Sequence, residues 1–545
     1  MTPPEETCLD TVLAEIGSFG RYQRRVIVLI LIASTIIYFP IVVWVFESKQ
    51  INYRCQIYEH ESNSTDYMPS WWTEAIPSIN NKPARCERYK CVDNSSNYMT
   101  CSNFDRNSSE SCDKFIYATE KTSILHDFNL HCEENVWKLT LVGTVFSIGG
   151  LVGLPISGIL SDKFGRKTIL ISSILLSASS GLIRSFSNTY IFFLVMEFID
   201  SFCKAASFPT CFIIGAEFVS PSKRVLMSVL INICSALGGV IVGCVAWAVP
   251  TWRTLDRILY GSSFIILAYY WLLPESLRWL LAKKRNADVS RILHTVAKTN
   301  GTILSEKNLE NLFDNNSSDT ITETYPLRNL FRSSILRRRF INCCVCWIFC
   351  LFSYFGLNIN AVSLSNNAHL DFILTMIVEI PGNILAHFLM NTIGKRYCFS
   401  ASFFTCGISS IVFTFIPEDL SWIRLSVYLL GKCCASVNVT AIFALTAEIF
   451  PTPLRSSLLS SCSMFGRFGI IMASQSALLE LYWKPLPLTL FGLTAIIGSI
   501  LALLLPETLN TTLPNTIKEA ENIGKEKDDI ELITRLRIHD VVGNN

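Results

Sequence analysis

The sequence predicts an all-α polytopic membrane protein, with twelve transmembrane helices in two pseudo-symmetric six-helix bundles. Three observations carry this. Half of the 545 residues are hydrophobic, 17% are charged and the mean hydropathy is +0.38, outside the soluble globular range. Apolar stretches of about 20 residues, the length a helix needs to cross a hydrocarbon core, recur along the chain. Blocks of the first half also return in the second at a near-constant offset: AEFVSPSKR at 216–224 as AEIFPTPLR at 447–455, PESL at 274–277 as PETL at 506–509, and FGRK at 164–167 as IGKR at 393–396. One duplication accounts for all three.

In chain order, residues 1–25 are polar, lack a cleavable signal pattern and are expected in the cytosol. The first span, 26–46, stops at Glu47, and a long outer loop fills 47–137. Stretches near 138–160, 168–187, 190–216, 225–248 and 258–273 complete a first bundle, 26–273. A polar segment, 274–339, rich in basic residues such as Arg337, Arg338 and Arg339, separates it from the second bundle, 340–508. That bundle has stretches near 340–362, 370–391, 398–416, 423–447, 457–479 and 485–505, and a charged tail, 509–545, follows. With alternating spans, the short connectors carrying Lys163, Arg166, Lys167, Lys223, Arg224, Lys395, Arg396 and Arg455 fall on one side. The positive-inside rule makes that side cytosolic, together with both termini.

The outer loop holds Cys55, Cys86, Cys91, Cys101, Cys112 and Cys132, and glycosylation sequons at Asn63, Asn94 and Asn107. An oxidising, glycosylating compartment is the common cause. Six cysteines allow fifteen pairings, and the sequence does not choose among them. The other 14 cysteines lie mostly in apolar spans, where they act as small hydrophobes. Sequons at Asn315, Asn316 and Asn510 fall on the cytosolic side and are expected to stay unmodified.

Repeats in membrane chains accompany transporters whose substrate site lies between the halves. GILSDKFGRK at 158–167 resembles the signature loop of the major facilitator superfamily, with Asp162 and Arg166 at a cytosolic helix boundary. Glu217 and Arg224, and again Glu448 and Arg455, share one spacing in both halves; a carboxylate near a helix C-terminus needs cations such as Arg224 or Arg166 to neutralise it, and these are expected to form cytosolic gate pairs. PESLRWLL at 274–281 narrows the resemblance to sugar porters and organic ion transporters. The glycosylated six-cysteine loop, GSFGRYQRR at 17–25 and NLFRSSILRRRF at 329–340 resemble the organic ion transporters.

Ionisable residues inside a membrane cost about 2.5–3.5 kcal/mol each at a helix centre, so those that persist face a cavity or one another. Glu197, Asp200 and Lys204 share one face of the fourth span and are able to neutralise one another. Glu379, Lys432 and Arg467 stand as lone charges in the eighth, tenth and eleventh. Trp347 and Tyr354, seven apart, share a face of the seventh. WIFCLFSYFGLN at 347–358 and IVEIPG at 377–382 resemble the organic cation and carnitine branch, where the positions matching Trp347, Tyr354 and Glu379 line the substrate cavity. Lys432 resembles a basic residue common at its position. Arg467 stands where the resemblance places aspartate in cation transporters and arginine in carnitine and anion transporters. Aromatics with Glu379 suit a cationic group and Arg467 with Lys432 an anionic one, which implies small organic cations or zwitterions such as carnitine or betaines.

The expected partners are therefore a small organic ion, the bilayer of the plasma membrane, and a coupling ion, sodium or proton, that the sequence does not specify. An organic anion transporter, a sugar porter and a non-transporting receptor are the competing readings. No nucleophile with its base, metal cluster or phosphate loop marks an enzyme, and neither cofactor nor nucleic acid is expected.

Overall fold

The computed structural model describes the chain outside residues 58–66, 93–103, 220–223, 314–331, 510–513 and 524–545, most of 1–19 and scattered single positions. Twelve long helical segments follow in order. In the first half, α1 runs Arg21–Val42 and continues as Trp44–Glu47. Then come α2 (Val136–Phe164), α3 (Arg166–Arg184), α4 (Tyr190–Lys204, resumed at Ser207–Glu217), α5 (Arg224–Ala248) and α6 (Trp252–Ser263, extended to Leu272). In the second, α7 (Ser334–Asn360) is followed by α8 (Ala368–Ile377 and Glu379–Thr392), α9 (Lys395–Phe415), α10 (Ser421–Ile449), α11 (Arg455–Leu479) and α12 (Leu486–Leu503). Eight of these meet length and apolarity limits for a span without help from their neighbours. The polar or interrupted segments α3, α4, α6 and α11 make up the other four.

The repeat is visible in the backbone at the helix ends opposite the outer loop. Gly165 and Gly394 turn into α3 and α9 with φ of +99° and +96° and extended ψ, a region only glycine occupies easily. Glu275, from the PESL block, accepts the freed N–H groups of Arg166 at 3.0 Å and Lys167 at 2.9 Å. Glu507, from PETL, does the same for Lys395 and Arg396, both at 3.1 Å. A carboxylate at a helix N-terminus satisfies orphan donors and complements the helix dipole.

The outer loop folds into three two-stranded sheets: Tyr53–Cys55 with Phe115–Tyr117, Ser78–Ile79 with Lys82–Pro83, and Glu87–Cys91 with Phe104–Ser111. Disulfides join Cys55 to Cys112 and Cys86 to Cys132. Cys91 is also disulfide-bonded, while Cys101 lies outside the described residues. The loop is fastened to the first half. Lys121 Nζ donates to the carbonyls of Ala246 at 3.0 Å and Trp247 at 2.7 Å, capping α5. Asp127 accepts from Trp252 Nε1 at 3.0 Å and Arg253 Nε at 2.8 Å at the start of α6. Asn107 is exposed on a strand; Asn63, Asn94, Asn315, Asn316 and Asn510 lie outside the described residues.

Among the described residues, hydrogen bonds between the halves lie at the middle and the outer end. Gln475 on α11 meets Thr140 at 2.9 Å and Thr144 at 2.6 Å on α2, and Tyr38 on α1 meets Tyr354 on α7 at 3.0 Å. Phe46 packs edge-on against Phe372 at 4.8 Å. Glycines set the approach: a Cβ on Gly143 would stand 2.4 Å from Ser474, and one on Gly239 2.5 Å from Met376. The halves are thus closed toward the outer loop.

Candidate functional site

A proline builds the site. Pro381 has no N–H to donate to the carbonyl four residues back, and α8 breaks between Ile377 and Glu379. Glu379 therefore begins the second segment, where the helix dipole favours a carboxylate. Gly382, one turn on, lets α10 come close, since a Cβ there would stand 3.0 Å from the Cys433 carbonyl. This approach brings Lys432 to Glu379: Nζ lies 2.8 Å from Oε1, with both side chains buried. Tyr354 completes the group from α7. Its hydroxyl donates to the Glu379 carboxylate, 2.9 and 3.0 Å from the two oxygens, and Lys432 Nζ sits 3.5 Å from its ring centroid. Because the Tyr354 proton is committed to Glu379, Tyr38 donates the bond that joins the halves.

The cluster Tyr38–Tyr354–Glu379–Lys432 is an aromatic wall and a carboxylate already holding one ammonium. An organic cation reaching Glu379 meets the contacts that Lys432 now makes, an ion pair and a ring face. Of the five binding residues expected from sequence, Tyr354, Glu379 and Lys432 come together. Trp347 does not join them. It lies in a separate apolar cluster, its Nε1 donating to Thr446 at 3.0 Å and its ring edge-on to Phe443 at 4.5 Å. Arg467 faces α2, with Nη1 3.3 Å from the place of a Cβ on Gly150, and has no hydrogen-bond or ion-pair partner among the described residues. It does not pair with Glu379, whose charge Lys432 takes. Tyr38 was not legible in the sequence, being one aromatic in an apolar helix.

At the helix ends opposite the outer loop, Glu217 pairs with Arg166, one of the two cations the sequence offered it, and Ser276 donates to the same carboxylate. Glu448 pairs with Lys395, while Arg455 stands within electrostatic range of it. The side chain of Arg224 lies outside the described residues; Asp162 is exposed, its carbonyl accepting from Trp279 Nε1 at 3.0 Å. Arg166 and Lys395 occupy equivalent places in the two halves, so the pairs are one repeated device. A carboxylate ending α4 or α10 opposes the helix dipole, and the cation that begins α3 or α9 offsets it.

Two six-helix halves with repeated signatures at their helix ends and a polar cluster between them define a major facilitator. A model of the Major Facilitator Superfamily matches residues 114–474, well over half of the chain. The partially occluded inward-open xylose transporter XylE from E. coli superposes with a TM-score of 0.61 at 13% identity, covering 90% of this chain and 100% of that one, which is a likeness of fold. The organic cation transporter protein of Drosophila melanogaster is 30% identical over 528 residues, 95% of each chain. Solute carrier family 22 member 2 of Homo sapiens is 29% identical over 98% of each, and member 3 of Mus musculus 29% over 95% of this chain and 96% of that one. The chain belongs to the organic ion transporter family of the major facilitator superfamily: a multi-pass membrane transporter, not an enzyme.

Proposed function

We propose that the protein carries small organic cations and zwitterions such as carnitine or betaines across the plasma membrane by alternating access, with both termini in the cytosol. The observation that carries this is the Tyr354–Glu379–Lys432 group at the contact between the halves. Relatives named as organic cation transporters support the cationic moiety. Arg467 supports the anionic one. Glu379 and Lys432 cancel, which leaves its guanidinium the uncompensated charge, and a substrate carboxylate is the bidentate partner such a group takes. The cationic end of the substrate exchanges with Lys432 at Glu379, so binding needs little net charge burial.

The bond from Tyr38 to Tyr354 makes that exchange felt across the halves, and only differential binding to the two states moves them. The repeated pairs Arg166–Glu217 and Lys395–Glu448 serve as the cytosolic gate, bracing the helix ends that part or meet as the halves rock. Asn63, Asn94 and Asn107 carry the glycans of the outer loop.

Uptake of one radiolabelled cation, one zwitterion and one anion, with and without sodium, tests the reading. The wild type takes the cation and zwitterion, and Arg467→Asp shifts preference toward the simple cation. Unchanged preference removes Arg467 from the site. The lone guanidinium also favours a second reading, organic anion transport; uptake of the anion alone establishes it.

A further inference from the structure

The first half buries a second polar cluster that the substrate site does not use. Glu47 at the outer end of α1, Arg184 at that of α3, Glu197, Asp200 and Lys204 on α4, and Asp256 and Tyr260 on α6 meet in the outer part of the bundle. The four carboxyls and Arg184 are fully buried and Lys204 is 8% exposed. Arg184 Nη2 lies 2.5 Å from Glu47 Oε1 and 3.2 Å from Asp256, and Nη1 pairs with Glu197. Asp200 accepts from Ser177, from Tyr260 at 2.7 Å and from Lys204 at 3.5 Å. The rings of Phe193 and Tyr260 flank the guanidinium at 5.4 and 5.3 Å.

The charges do not balance. Four carboxylates against Arg184 and Lys204 would leave two negative charges in a dry site, at several kcal/mol for each uncompensated ion. Two orphaned oxygens locate the missing protons. Glu47 turns Oε1 to Arg184 while its buried Oε2 meets no donor among the described residues, whereas both oxygens of Asp256 accept from Arg184. Glu197 turns Oε2 to Arg184 while its buried Oε1 meets no donor among the described residues.

We propose that this cluster is a proton-binding site linked to transport, holding one proton on Glu47 and a second on Glu197. Each step is addition of a proton to a carboxylate oxygen, and no other reactant is needed. Ser177, Lys204, Ser207 and Tyr260 line a space of about 10 Å³, room for about one water, beside the hydroxyls that bind Asp200. Lys204 Nζ at its edge donates to the Pro40 carbonyl at 2.7 Å and lies in the field of Arg467 from the other half. Proton occupancy around Arg184 therefore acts, through Asp200 and Lys204, on the charge that faces the substrate.

Infrared spectroscopy of the purified full-length protein tests the site without any substrate, so its result stands whatever the cavity carries. At neutral pH the wild type shows the carbonyl stretch of protonated carboxyl groups; Glu197→Gln and Glu47→Gln each remove part of it. Absence of the band, or a band unchanged in both variants, overturns the proposal. Glutamine mimics a protonated glutamate, so both variants melt near the wild type, whereas Asp200→Asn, which breaks a donor-satisfied carboxylate, melts lower. A large loss of stability in Glu47→Gln and Glu197→Gln shows that the carboxylates are ionised and also overturns it. Tracer uptake then reads the linkage: the wild type responds to external pH by about threefold or more between about pH 6 and 8, and the double glutamine variant does not. A flat wild-type profile removes the link.

Discussion

The two halves share a skeleton at the ends opposite the outer loop and differ in the charges they place in the membrane. Gly165 with Glu275 and Arg166 with Glu217 are matched, contact for contact, by Gly394 with Glu507 and Lys395 with Glu448. Higher up the likeness ends. The first half walls its charges around Arg184, away from the partner half. The second presents Glu379 and Lys432 beside Tyr354, which touches α1 of the first. A duplicated backbone device sets the hinge ends, where geometry tolerates little change; the midplane side chains are free to diverge, and in the proposed function they carry the selectivity.

The largest expected effect breaks the asymmetric part. Glu379→Ala leaves Lys432 buried without its partner, a change that costs about 3–5 kcal/mol, and cation uptake falls by about two orders of magnitude. Glu379→Ala with Lys432→Ala restores the melting temperature but not uptake. Recovery of uptake in the double variant would show that the pair is structural. Next is the symmetric part. Gly165→Ala and Gly394→Ala each force a side chain into a glycine-only region and place a Cβ 2.5 Å from Glu275 or Glu507, so each destabilises by about 1–3 kcal/mol. Melting curves that differ widely between the two break the equivalence of the halves. Smaller again is the gate: Arg166→Ala lowers uptake by about tenfold, and Lys395→Ala by less, because Arg166 also donates to Ser276 at 3.3 Å. Equal uptake in both variants and the wild type removes the gate role.

The periodic signals reached the fold and part of the site. Spans and halves were legible because hydropathy and repeats are local properties of the string. Lone charges at Glu379 and Lys432 were legible because a membrane makes each conspicuous. Their pairing was not, since it depends on the α8 break and on Gly382 meeting α10. Glu448 meets Lys395, 53 residues earlier, a partner outside its own block. Glu275 and Glu507, seen as repeat markers, turn out to cap helices. Arg184 lay hidden at the end of an apolar run, and its partners Glu47 and Asp256 in what read as boundaries. Trp347 shares a face with Tyr354, yet seven residues is about 10 Å along a helix, far enough to put its ring among Thr446 and Phe443 instead.

The smallest predicted effect concerns the outer loop, which has no counterpart in the second half. His131 stacks on Phe115 at 4.1 Å, meets Tyr53 edge-on at 5.0 Å, and bonds Tyr117 through Nε2 at 2.7 Å. Burial, with the charge of His126 behind it, holds its imidazole down at about 4 from the ordinary 6.5. Between those values the unfolded loop binds more protons than the folded one, so stability is fully present above about pH 6.5 and declines as pH falls toward 4. Amide exchange in the intact protein, corrected for intrinsic rates, therefore quickens in the loop below about pH 6 while the bundle amides of the second half do not follow. His131→Phe keeps the stack and removes the titration, which flattens the profile at some cost in protection at neutral pH. An unchanged profile in that variant assigns the acid sensitivity to another group, of which Asp127 is the next in place. Its carboxyl is pushed up by burial but held below the usual range by His126, Arg253 and Trp252, so its contribution fades only at lower pH.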